Sequence, residues 1–144
     1  MTITSPLDVY RQMQDAVLQE EGATLLPAEL LADDIVVETP FSPPGMRRHE
    51  GRDAWLEFYA ARSLPIRFEA FREITTIETA DPEVLVVEYE LSGAVTTTGV
   101  AASAAFIAVL RVRDGKILLW REYQDVMAIT QALSLQPEDL GTAR

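Results

Sequence analysis

The segment from Arg113 to Asp125 constrains the fold more than any other part of the chain. Asp114-Gly115 is a two-residue hairpin signal, because both positions of a tight hairpin turn need φ > 0 and this dipeptide tolerates it. The residues after the turn alternate. Leu118, Trp120, Glu122 and Gln124 fall on one face of a strand, and Ile117, Leu119, Arg121 and Tyr123 on the other. One face therefore lines up a carboxylate with a tryptophan. Turned toward an apolar cavity, Glu122 is a candidate acid or base; turned toward water, it is a surface charge.

The hairpin closes a longer β region. Ile66–Glu78, Val84–Leu91, Ala101–Arg113 and Lys116–Met127 read as long strands, joined at Ala80-Asp81-Pro82, around Ser92–Gly99 and at Asp114-Gly115. The part before Ile66 is mainly helical. Ser5 is an N-cap, Pro6 opens the helix, and Leu7, Tyr10, Val17 and Leu18 recur at helical spacing, which predicts a helix over 6–20 ended by Gly22. A short helix over 27–32 leads into a strand at Ile35–Thr39. The prolines of Pro40–Glu50 predict an irregular loop. Gly51 starts a third helix carrying Trp55, Phe58, Tyr59 and Arg62, and Pro65 stops it. The tail from Thr130 reads as irregular or as a small helix. Helices followed by an antiparallel meander give the α+β class, with helices packed on one face of a strongly curved sheet. A length of 144 residues suits one domain spanning the whole chain.

Charge and composition narrow the partners. The net charge of −11 argues against nucleic acid and anionic membranes, and favours neutral or cationic small molecules. Cysteine is absent, which removes disulfides, thiolate nucleophiles and cysteine–zinc sites. No secretory signal is legible, and no apolar run reaches the roughly 18 residues that span a bilayer. The expectation is a cytoplasmic protein without cofactor or metal.

Five segments carry a family resemblance. Ala32-Asp33-Asp34-Ile35-Val36-Val37-Glu38-Thr39-Pro40-Phe41, then Glu50-Gly51-Arg52-Asp53-Ala54 and Phe58-Tyr59, resemble the entry segment of the nuclear transport factor 2-like superfamily. Asp114-Gly115-Lys116-Ile117 and Trp120-Arg121-Glu122-Tyr123-Gln124-Asp125 resemble its last hairpin. The resemblance runs from about Leu30 to Met127. It implies a cone in which a bent, mixed sheet wraps helices around an internal apolar pocket. The superfamily holds ketosteroid isomerases, SnoaL-like polyketide cyclases, limonene-type epoxide hydrolases, dehydratases and non-catalytic modules, so fold alone does not assign activity.

Carried over residue by residue, the resemblance is partial. The base of ketosteroid isomerase falls on Thr39 and its oxyanion-hole acid on Ala108, while Tyr59 matches a tyrosine of its supporting network. Neither Thr39 nor Ala108 can do that chemistry, which argues against steroid isomerisation by that route. Trp120-Arg121-Glu122-Tyr123 resembles the Trp-Arg-Asp-Tyr of limonene-type epoxide hydrolase, whose aspartate deprotonates water. The arginine and second aspartate of that site fall on Tyr89 and Leu91. Both comparisons turn Leu85, Val87, Tyr89 and Leu91, then Ala104, Phe106, Ala108 and Leu110, then Trp120, Glu122 and Gln124 inward, with the period of two that one sheet face requires.

These placements define the candidate residues. Glu122 is the first candidate base, with Asp125 the second, and Thr39 and Tyr59 complete the catalytic set. Trp120, Tyr89, Phe106, Gln124, Trp55 and His49 are the candidate substrate contacts. Each has a plainer reading. Glu122 could pair with Arg62, or with Arg121 of the partner subunit, and be structural; Asp125 could be a strand-end surface charge. His49 could be a solvated loop residue beside Arg47 and Arg48, and Trp55, Phe58 and Tyr59 could be core. The outer face, with Ile107, Val109, Leu119 and Tyr123, needs a cover, which implies a homodimer through the sheet. Two functions follow: a cofactor-independent acid/base enzyme for a neutral hydrophobic substrate, or a non-catalytic ligand-binding or dimerisation module.

Overall fold

A computed structural model describes residues 5–19, 26–42, 45–62 and 65–134. The first helix, α1 (Pro6–Val17), opens with a capping box: Ser5 Oγ accepts the Asp8 N–H at 3.1 Å and the Asp8 carboxylate accepts the Ser5 N–H at 3.2 Å. It is shorter than the expected span to residue 20, and Gly22 lies outside the described residues. Its apolar stripe buries Val9, Tyr10, Met13 and Val17 against the sheet. The expected short second helix is a single 3₁₀ turn, Ala28–Leu30.

The strands are β1 (Leu31–Thr39), β2 (Arg47–Glu50), β3 (Ile66–Glu78), β4 (Val84–Val95), β5 (Ala101–Arg113) and β6 (Lys116–Gln124). Helix α2 (Arg52–Arg62) follows β2, and α3 (Val126–Ser134) follows β6. The strands form one open sheet in the order β2-β1-β6-β5-β4-β3. All neighbours are antiparallel except β1 and β6, which run parallel. The α+β reading therefore holds, with a mixed sheet wrapped on α1 and α2.

Three expectations need correction. Residues Arg47–Glu50 are strand β2, not loop: they pair with β1 from Thr39↔Arg47 to Val36↔Glu50. The cause is tertiary, since β1 would otherwise leave a row of backbone groups unpaired. Gly51, at φ +97°, turns the chain from β2 into α2 and donates its N–H to Ile35 O at 2.7 Å. The last strand stops at Gln124 rather than Met127, because α3 begins at Val126.

The third correction concerns the hairpin. Asp114 (φ +52°) and Gly115 (φ +74°) make the expected turn. The register then slips, with Arg111 opposite Leu119 but Val112 opposite Ile117, so Leu118 is a bulge. Ile117 is buried instead of Leu118, and strict alternation resumes only at Leu119. Beyond that point the inward set is as expected. Leu85, Val87, Tyr89, Leu91, Phe106, Ala108, Leu110, Trp120 and Glu122 are buried. Strand β4 runs on past Leu91 to Val95. Gly93 permits the close approach of β3, for a Cβ there would lie 2.1 Å from Arg67 O.

The outward face is different in kind. Glu38 is buried between Arg121 (3.2 Å) and Arg48 (3.4 Å), so Arg121 pairs away from the interior. Ile107 is 44% exposed and pairs across the ladder with Tyr123, whose ring meets Phe41 edge-on at 5.3 Å. Among the described residues no helix is long and apolar enough to cross a membrane.

Candidate active site

A cavity of about 140 Å³ lies between the concave sheet face, α2 and α3. Val37, Trp55, Phe58, Phe68, Leu91, Phe106 and Trp120 make most of its wall apolar. Thr39, Arg47, His49, Tyr59, Glu122 and Gln124 supply polar groups, and α3 adds Ala128, Ile129 and Ala132. Concave apolar sites with a few convergent polar groups suit small molecules.

Sheet register explains why these groups meet. Val37 lies beside Trp120, and Glu38 beside Arg121, in the parallel β1–β6 pair. The next residues along, Thr39 and Glu122, therefore share the inward face. On the other side of β1, Arg47 pairs with Thr39 and His49 with Val37, which turns both β2 side chains toward the cavity. On β5, Phe106 pairs with Gln124 and Ala108 with Glu122.

Glu122 is 5% exposed. Its Oε1 accepts a hydrogen bond from Gln124 Nε2 at 2.8 Å, and its Oε2 accepts one from the Tyr89 hydroxyl. No cation pairs with it among the described residues. Burial pushes its pKa above the usual carboxylate value, and the donors from Gln124, Tyr89 and Trp120 oppose this only in part. A carboxylate so placed is a stronger base than one in water, and it is held by neutral donors rather than neutralised by a charge.

His49 sits in the wall, not in a solvated loop. Its ring lies 4.1 Å from Phe58 and 5.5 Å, edge-on, from Trp55. Its Nε2 is buried without a hydrogen-bond partner among the described residues. Burial, with the Arg47 charge second, lowers its pKa, so the imidazole is neutral at pH 7. The Arg47 guanidinium stands 5.4 Å over the Phe58 ring.

The cavity thus gathers Glu122, Thr39, Tyr59, Trp120, Phe106, Gln124, Trp55 and His49 from the expected set. Two expected residues are elsewhere. Tyr89 is fully buried behind the cavity wall, so it meets Glu122 and not the cavity space. Asp125 is exposed at the head of α3, where its Oδ1 accepts the Ala128 N–H at 3.0 Å, as a helix cap does. Its geometry is that of a cap, not of a second base in the cavity. Arg47, Phe58, Phe68 and Ile129 line the cavity without having been singled out as contacts. For Arg47 the signal is its two-residue spacing from His49, which becomes readable only once β2 is known to be a strand. Among the described residues no cluster of three or more His, Asp or Glu could hold a metal.

A family model described as the SnoaL-like domain matches residues 10–120. An uncharacterised PhzA/B-like protein of Pseudomonas aeruginosa is 34% identical over 119 residues, covering 81% of this chain and 82% of its own. A crystal structure from Bacillus subtilis superposes with a TM-score of 0.77 at 24% identity, over 88% of this chain and 91% of the other. An LEH-like epoxide hydrolase of M. tuberculosis superposes with a TM-score of 0.57 at 21% identity, over 86% and 78% of the two chains. The two structural likenesses concern the fold.

Proposed function

We propose, from the premise that this chain belongs to the SnoaL-like domain family, that it is a cofactor-independent enzyme whose general base is Glu122. One observation carries the reading: a buried carboxylate stands in a mainly apolar cavity and pairs with no cation among the described residues. Burying such a group costs stability, and that cost is ordinarily tolerated where the group works. The substrate is a hydrophobic molecule small enough for the cavity. Its polar end, a carbonyl or epoxide oxygen, faces Arg47, His49 and Thr39, which can donate hydrogen bonds as negative charge develops there. Tyr59 and Gln124 orient it, and Trp55, Phe106 and Trp120 hold its apolar body.

The chemistry is proton abstraction from a carbon beside a carbonyl, or from a water that opens an epoxide. The test uses proton–deuterium exchange into a hydrophobic cyclic ketone in heavy water, with diol formation from a terpenoid epoxide as a second assay. The chain should accelerate one of the two. Glu122→Gln, which keeps the shape and removes the base, should lose about 10²-fold or more of that rate. A variant that binds the ketone and exchanges it as fast as the parent would end the assignment. Binding without turnover in the parent would favour a ligand-binding module.

The assembly belongs to the same proposal. A second copy covers the outward face around Ile107 and Tyr123, making a homodimer through the sheet. The absence of cysteine suits a protein of the cytoplasm.

A further inference from the structure

Tyr89 is a fully enclosed polar residue that the reaction scheme leaves unused. It lies on β4, two strands from Glu122, with β5 between them. Its ring is stacked between Phe71 (4.8 Å, 15°) and Phe106 (5.3 Å, 17°), and Tyr10 of α1 packs against it at 6.5 Å. This stack fixes where the hydroxyl can go. The position on β5 directly across from Glu122 is Ala108, fully buried and bearing only a methyl group. A larger side chain there would fill the gap that the phenol spans.

We propose that Tyr89 is a positioning residue for Glu122: its clamped phenol holds one carboxylate oxygen, as Gln124 holds the other, so the carboxylate keeps one orientation toward the cavity. The inference rests on Glu122 being the base. It adds that the base is aimed from behind, across the gap at Ala108, by a residue that never touches substrate. Each carboxylate oxygen has two lone pairs. With Gln124, Tyr89 and Trp120 donating, three of the four are engaged and one stays available to the reacting proton. The phenol stays protonated, since burial and the Glu122 charge both raise its pKa.

The surroundings of the carboxylate leave Tyr89 as the donor to test. Tyr59 on α2, and Arg47 and His49 on β2, share its cavity, and Tyr10 stands beyond Tyr89 on α1. The elements β1, β5 and α3 contribute only uncharged groups there, among them Thr39, Ala108 and Ile129.

The experiment is a titration of the Glu122 side-chain carboxyl by carbon-13 NMR in glutamate-labelled protein, the signal being assigned by its loss in Glu122→Gln. In Tyr89→Phe the ring and its stack remain but the donor is gone. The midpoint should rise by about one pH unit, as expected for losing a charge-assisted hydrogen bond. Global 3-fluorotyrosine, which makes the phenol a stronger donor, should move the midpoint the opposite way, and should not do so in Tyr89→Phe. If Tyr89→Phe fails to fold, the fluorotyrosine shift is read in Tyr59→Phe, where it should persist with Tyr89 as the donor and vanish if Tyr59 were its source. An unmoved midpoint overturns the proposal. The titration needs no substrate, so it reports on Tyr89 even if the protein proves inert. If exchange activity is present, the acid limb of its pH profile should move with the NMR midpoint.

Discussion

At the scale of the residue, the burial of Glu122 sets its charge against stability. Its pKa in the folded chain is raised, so the folded state binds the carboxyl proton more tightly than the unfolded state does. The stability contributed by this group is present below the usual carboxylate pKa and is lost as pH rises through the raised value. Glu122→Gln, neutral at every pH, should therefore melt a few degrees above the parent at pH 7. The difference should shrink as the pH falls below the usual carboxylate range. Thermal denaturation at neutral and acid pH checks this; a variant that melts lower at pH 7 would show that the charged form is favoured by the fold. The alternation puts this residue on one face with Trp120, and only the family resemblance turns that face inward. Its partners were legible in neither. Tyr89 was assigned to the same face, and rightly, but face assignment cannot distinguish a group in the wall from one behind it. That depends on the stack with Phe71, a residue of another strand.

At the scale of the element, local signals sufficed where structure is local. Ser5 and Pro6 marked the start of α1, and Asp114-Gly115 marked the turn, because caps and turns are decided by adjacent residues. Strand β2 is the contrary case. Arg47-Arg48-His49-Glu50 has no apolar alternation, and its pairing comes from β1, across the proline-containing loop. The bulge at Leu118 was likewise invisible, since register belongs to a pair of strands. Asp125 shows how an element boundary reassigns a side chain. Read as the end of a strand it is a candidate base; placed before α3 it is a cap. Asp125→Asn, which keeps a capping oxygen, should leave turnover within about twofold of the parent, whereas Asp125→Ala should weaken α3 by about 1 kcal/mol. Rates and urea denaturation of the two variants test this, and a hundredfold loss in the asparagine variant would return Asp125 to the site.

At the scale of the whole molecule, the sheet has two unlike faces. The concave face builds the cavity, and the convex face mixes the Arg48–Glu38–Arg121 ion group with Ile107 and Tyr123. If a second copy covers that convex face, Ile107→Glu should place a charge in the contact and shift the chain from dimer to monomer in light scattering, with the cavity still able to bind ligand. A monomeric parent would refute the arrangement. The parallel pairing of β1 with β6 carries a consequence for biosynthesis. Thr39 and Glu122 become neighbours only through a contact that spans most of the chain. During translation the first half must wait, its central edge unpaired, until the last hairpin leaves the ribosome. A nascent chain halted before Lys116 would have neither the strand that closes that edge nor the buried Glu122 carboxylate that the strand carries. Assembly of the site and completion of the sheet are thus one event, and a prematurely terminated chain would lose both together.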